Sequence, residues 1–263
     1  MCPNCRAFIT TSDRVCPYCD HRVGPRAIDV RQPAQILGGL IPHAHFTTVL
    51  ILLINAGFFL ATLWLQQTMG EGQALVALGA KFDPLIFQEH QWWRLVTAGF
   101  LHGGWLHILM NSWVLYDLGA QTEEVYSTPR FLVIYFTGSV AGFYMSAIES
   151  RALSVGASAG IMGLIGAMIA VGVTNRTSMG RAIRSFYIRW VVYVLAMGFL
   201  IPGIDNWAHL GGLAGGFAVG YLAGTPVHSS PAREAFWRAL AALCVLTTAF
   251  CFFLVFRNFS FSG

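Results

Sequence analysis

Charge is what this chain has least of. Only 11% of its 263 residues are charged, against 56% that are hydrophobic, and a soluble domain carries roughly twice that share of charge. The shortage excludes an ordinary water-soluble globule. It leaves an all-α polytopic membrane protein, with the bilayer taking most of the chain. The net charge is +4, too modest to call for nucleic acid as a partner. Residues 1–24 hold three arginines and no basic-aromatic stripe, so none is expected there either. A cleavable signal peptide is not expected, because the first apolar run begins near Phe46, behind a polar segment.

Cysteine is also sparse, and its six copies are unevenly placed. Cys2, Cys5, Cys16 and Cys19 form two C-x2-C pairs separated by ten residues. Each pair can offer two thiolates to one tetrahedral ion, so residues 1–24 read as a zinc ribbon with a structural zinc. The alternative is two disulfides in an oxidising compartment. His21 lies just past the last of these cysteines and is read as a neighbour, not a ligand. The ribbon's own partner is unknown from sequence. Cys244 and Cys251 fall in the last apolar run and read as small apolar helix residues.

Residues 25–45 form a linker containing proline and glycine. Apolar runs follow near 46–66, 98–119, 130–149, 156–174, 186–203, 206–224 and 236–256, each close to the ~20 residues that cross a bilayer. The expected organisation is a six-helix core over 46–224 and an additional C-terminal span within 225–263. Lys and Arg set the expected orientation. With the N-terminus inside, inner segments hold Arg6, Arg14, Arg22, Arg26, Arg31, Arg130, Arg176, Arg181, Arg184, Arg189, Arg233 and Arg238. Outer segments hold only Lys81, Arg94, Arg151 and Arg257. The ribbon is then cytoplasmic and the C-terminus outside. Short loops suit a bacterial inner membrane.

Against this apolar background a few polar residues stand out, since ionisable groups at membrane depth are costly and functional by default. Ser158 sits in Gly156-Ala157-Ser158-Ala159-Gly160, and His209 in Ala208-His209-Leu210-Gly211-Gly212. A hydroxyl beside an imidazole suggests nucleophile and base. Gly212 and Gly216 lie at i+3 and i+7 from His209, on its helix face, where small residues permit close helix packing. His107 and Asn111 are spaced i, i+4 on another helix and can donate to a developing oxyanion. In the expected topology all four groups fall at similar depth in the outer half of the membrane. No acid is evident beside His209; Asp205, four residues before it, is expected at the outer surface. The reading is a Ser–His dyad.

These motifs resemble the rhomboid family of intramembrane serine proteases over roughly residues 46–224. The carriers are Trp93-Arg94, His102 with His107-x-x-x-Asn111, Gly156-Ala157-Ser158, and Ala208-His209-Leu210-Gly211-Gly212. The resemblance implies a serine endopeptidase that cleaves transmembrane protein substrates within or beside their spanning segments, without a catalytic cofactor. Ser158 matches its nucleophile, His209 its base, and His107 and Asn111 its oxyanion residues. His102 matches a supporting histidine at the water-accessible end of span two. Trp93-Arg94 match a first-loop motif, although an interfacial belt with a snorkelling cation would also explain them. Glu123 matches a structural acid at the inner end of span two. Ala159 and Met162 depart from the pattern, which often has glycine and an aromatic residue there. The alternative reading is a catalytically silent rhomboid-like protein that binds and routes membrane clients. A transporter would need ionisable groups across the whole bilayer, and the inner half offers only Glu123 and Glu124.

Overall fold

The computed structural model of the protein describes residues 4–5, 15–22, 46–226 and 229–261. Cys2 and the 25–45 linker lie outside them. The chain divides into two compact units, Met1–His43 and Ala44–Gly263. In the first, Val15 and Arg22 pair as an isolated antiparallel bridge. The Cys16 N–H donates to the His21 carbonyl and the Asp20 N–H to the Cys16 carbonyl, both at 2.9 Å. A tight turn therefore carries Cys16 and Cys19.

Among the described residues of the second unit the regular elements are all helices, and the protein is an all-α polytopic membrane protein. Its elements are α1 (Phe46–Met69), α2 (Glu71–Ala77), α3 (Asp83–Phe87), α4 (Arg94–Thr97), a 3-10 turn (Ala98–Phe100), α5 (Trp105–Tyr126), α6 (Thr128–Glu149), α7 (Ser158–Thr174), α8 (Ser178–Leu200), α9 (Asn206–Ala223) and α10 (Pro231–Phe261). Among the described residues, α1, α6, α8 and α10 are long and apolar enough to cross a membrane. The other three long helices, α5, α7 and α9, are the ones that carry the candidate site residues. α7 has only 17 residues, about 26 Å of helix, and twelve of them are buried. A helix enclosed by its neighbours on all sides needs no lipid-facing stripe.

The lipid-facing helices are inverted relative to soluble ones. On α1 the residues turned inward are Thr47, Thr48, Ile51, Asn55, Phe59, Thr62 and Leu65, a helical stripe rich in small and polar groups. Leu53, Leu60 and Trp64 face outward. Hydrocarbon solvates leucine as well as a protein core does, so tight packing and hydrogen bonding select the inner face. The centre of the unit is α7 packed on α9 and α6. α10 lies against α6, where Arg130 of α6 is fully buried and forms a bidentate ion pair with Glu234 of α10 at 2.6 and 2.9 Å.

Three sequence expectations shift. The run at 98–119 is not one helix: residues 98–100 form the 3-10 turn, and α5 begins only at Trp105, after Gly104 at φ +87°. α8 starts at Ser178, ahead of the apolar run, because Thr177 caps it by accepting from the Gly180 N–H and helical geometry tolerates Arg181 and Arg184. Lys81, Arg94 and Arg130, taken as loop charges, are all buried inside protein.

Candidate active site

Ser158 is the first residue of α7. The chain reaches it through Gly156, whose φ of +132° suits glycine alone, and whose N–H donates to the Ala98 carbonyl at 3.0 Å. His209 lies in the first turn of α9, after the Pro202–Asp205 turn. Asp205 caps that helix by accepting from the Ala208 N–H at 3.0 Å and also accepts from the Ser146 hydroxyl of α6. The expectation that Asp205 sits at the outer surface is thus refined: it is an N-cap tied to α6.

Close approach of α7 and α9 brings the two side chains together. A Cβ on Gly212 would collide with the Ala159 carbonyl oxygen, and one on Gly216 with the Gly163 backbone. Across this contact the Ser158 Oγ and His209 Nε2 stand 2.9 Å apart, although 51 residues separate them. His209 is buried, and its Nδ1 has no hydrogen-bond partner among the described residues. For Nε2 to accept the serine proton, Nδ1 carries the ring hydrogen. No carboxylate among the described residues hydrogen-bonds to it.

His107 and Asn111 project from α5 toward the same place. A Cβ on Gly156 would lie 2.7 Å from His107 Nε2 and 3.5 Å from Asn111 Nδ2. Both tips therefore abut the backbone two residues before Ser158. Asn111 Nδ2 is buried and unpartnered among the described residues, which leaves an uncommitted donor beside the Gly156 backbone. His102 is fully buried in the turn before α5, its ring edge-on to His107 at 5.1 Å. It is enclosed, and not at a water-accessible helix end as expected; it packs behind His107.

Trp93 and Arg94 do not form an exposed belt. Both are buried, with the guanidinium 4.6 Å above the Trp93 ring. Arg94 donates to the Val76 carbonyl at 2.7 Å, the Ala80 carbonyl at 3.0 Å and Gln91 Oε1 at 2.7 Å. It ties the first loop to itself instead of snorkelling. Burial lowers its pKa to about 10, so it stays charged at neutral pH. Glu123 is buried at the far end of α5 and accepts from Thr128 at 2.7 Å and Thr48 at 3.4 Å. It joins α5 to α6 and α1, well away from Ser158 along the helix. Met162 is buried one turn beyond Ser158.

In the other unit the Cys5, Cys16 and Cys19 sulfurs all lie within 4.8 Å of one another, with Cys5 and Cys16 at 3.6 Å. Zinc–sulfur bonds of about 2.3 Å at tetrahedral angles place sulfurs about 3.8 Å apart, so the three fit one ion. The His21 backbone N–H, and the Asn4 amide at 3.6 Å, lower the Cys19 thiol to about 6, which favours the thiolate a metal needs. Cys2, the fourth expected ligand, lies outside the described residues.

Site and fold together define a polytopic helical membrane protein that holds a serine and a histidine in hydrogen-bond contact across two glycine-packed helices. The chain belongs to the rhomboid family: residues 89–226 match the rhomboid domain. It is 38% identical over 181 residues to the rhomboid protease GluP of Bacillus subtilis (strain 168), covering 69% of this chain and 35% of that protein. It is 37% identical over 153 residues to the mitochondrial RHOMBOID-like protein 6 of Arabidopsis thaliana, covering 56% of this chain and 49% of that protein. It is 30% identical over 233 residues to rhomboid-like protease 1 of Toxoplasma gondii, covering 84% of this chain and 79% of that protein. The chain thus spans half or less of the length of the first two relatives.

Proposed function

We propose that the protein is an intramembrane serine endopeptidase that cuts transmembrane protein substrates within or next to their spanning segment. The observation that carries this reading is the 2.9 Å contact of Ser158 Oγ with His209 Nε2, within hydrogen-bond reach of nucleophile and base. A substrate helix shields its peptide carbonyls, so it must unwind locally before attack. The Ser158 oxygen then bonds to the scissile carbonyl carbon while its proton passes to His209 Nε2. The resulting oxyanion accepts from the Asn111 amide, the His107 ring and the Ser158 backbone N–H. His209 returns the proton to the leaving nitrogen, the C–N bond breaks, and an ester on Ser158 remains. Water attacks that ester as His209 takes its proton, and Ser158 leaves with a proton restored.

The excess of arginine in one set of segments supports an N-terminus in the cytoplasm and a C-terminus outside, and the short loops suit a bacterial inner membrane. Arg130 counts little in that excess because it is neutralised by Glu234. The N-terminal unit is read as a zinc ribbon in which Cys2, Cys5, Cys16 and Cys19 hold a structural ion that takes no part in the reaction. Purified protein cleaving a model transmembrane substrate, with cleavage lost in Ser158→Ala and His209→Ala, is the test. A folded wild type that binds such a substrate without cutting it would support a silent client-binding protein instead.

A further inference from the structure

The chain contains one lysine, Lys81, and its side chain is completely buried. An ammonium in that position is tolerable only if all its protons find acceptors. Here two carbonyl acceptors and one opposite charge converge on one atom. Nζ donates to the Ser150 carbonyl, donates to the Ala152 carbonyl at 3.0 Å, and pairs with Asp83 at 2.7 Å. A compact ammonium suits three oxygens gathered around one point, where a planar guanidinium would not. The Lys81 backbone takes hold of the same stretch: its N–H donates to the Ser154 carbonyl at 3.1 Å and its carbonyl accepts from the Ser154 N–H at 3.2 Å.

The segment so held is the link between α6 and α7, which ends at Ser158. The Ser150 and Ala152 carbonyls and the Ser154 backbone all meet Lys81, with the chain bending at Ala152 between them. Two residues on, Gly156 is held by Ala98. Lys81 is itself fixed from behind: its neighbour Ala80 accepts from Arg94, and Gly79 accepts from the Thr97 hydroxyl at 2.7 Å. A continuous run of contacts therefore leads from Arg94 through Ala80 and Lys81 to the segment that presents the serine.

We propose that Lys81 is a positioning residue for the nucleophile. Its ammonium and backbone fix residues 150–154, and thereby set where Ser158 stands against His209. The inference rests on the reading of Ser158 as nucleophile. It assigns the first loop, through Lys81, a part in nucleophile geometry in addition to any part in the fold.

The test compares full-length Lys81→Met with wild type, using Arg130→Met at the α6–α10 ion pair as a destabilised control remote from the serine. All are purified in detergent and assayed well below their Tm. Methionine keeps the stem and removes the charge. Amide hydrogen exchange in 150–157 should rise about tenfold or more in Lys81→Met, with α1 and α10 unchanged. kcat on a model transmembrane substrate should fall on the order of tenfold to a hundredfold, as small misplacements of a reacting group do, with KM within about twofold. Arg130→Met should lower the Tm without that split. Unchanged exchange in 150–157, or an unchanged kcat below the Tm, overturns the proposal. A wild type that neither labels nor cleaves sinks the protease reading instead, and exchange in 150–157 still decides whether Lys81 holds the segment.

Discussion

Gly216 of α9 and Gly163 of α7 meet backbone against backbone, so closely that a Cβ on Gly216 would fall on the Gly163 carbonyl. One turn earlier Gly212 meets Ala159 in the same way, and three residues before Gly212 stands His209. The distance between imidazole and hydroxyl is therefore set by how near two helix backbones can come. Gly216→Val should force α9 off α7. Overpacking costs typically about 1–3 kcal/mol, and here the clash is with rigid backbone. The variant is expected to show a lowered Tm in detergent and loss of serine-probe labelling. Labelling of the Gly216→Val variant at the wild-type rate would contradict this dependence.

Gly156 offers a second, more local prediction. Its φ of +132° and the 2.7 Å gap from a would-be Cβ to His107 Nε2 leave no room for a side chain. Backbone strain of this kind costs about 1–3 kcal/mol. Gly156→Ala should depress labelling of Ser158 more than it depresses the Tm, because the displaced groups are the proposed oxyanion donors.

Asn111→Ala removes a buried amide that has no other partner among the described residues. If that donor meets charge only in the transition state, kcat should fall on the order of 100-fold to 1000-fold with KM little changed. Stability should hold or improve, since an unsatisfied buried group disappears. A KM effect alone would assign Asn111 to substrate binding.

The seat of α10 depends on Arg130 and Glu234. Arg130 is fully buried and Glu234 is 27% exposed. Glu234→Ala removes the carboxylate and leaves the guanidinium, among the described residues, only the Ser229 and Ser127 hydroxyls, and with Glu234 partly exposed the cost is roughly 1–3 kcal/mol. The Arg130→Leu, Glu234→Leu double variant should be milder than Glu234→Ala alone, as thermal unfolding in detergent would read.

For the N-terminal unit, protein purified without added metal should carry about one zinc per chain, measured by elemental analysis. Cys16→Ser should lose it while cleavage of a model substrate persists. Loss of cleavage on zinc removal would tie the N-terminal unit to the proposed activity.

Much of the site was legible because membrane depth makes polar residues conspicuous. Ser158, His209, His107 and Asn111 stand out of apolar sequence, and the spacing of Gly212 and Gly216 from His209 already indicates which face packs closely. The first loop was not legible. Hydropathy merges Ala98–Leu101 with α5, since residues buried in protein look the same as residues buried in lipid. Lys81, Arg94 and Arg130 read as surface charges because sequence gives no sign of the carbonyls and carboxylates waiting for them. His102 carried a motif signal but no sign that it is enclosed behind His107. The Ser146–Asp205 contact joins residues 59 apart, and no local pattern announces it.

Labelling of the detergent-purified protein with a fluorophosphonate or isocoumarin probe tests the pairing of Ser158 with His209 most directly. Wild type, Ser158→Ala and His209→Ala would be compared side by side with cleavage of a model transmembrane substrate. A Ser158–His209 dyad predicts labelling and cleavage in the wild type and neither in the two variants. A folded wild type that does neither, or a Ser158→Ala variant that still cleaves, would contradict it.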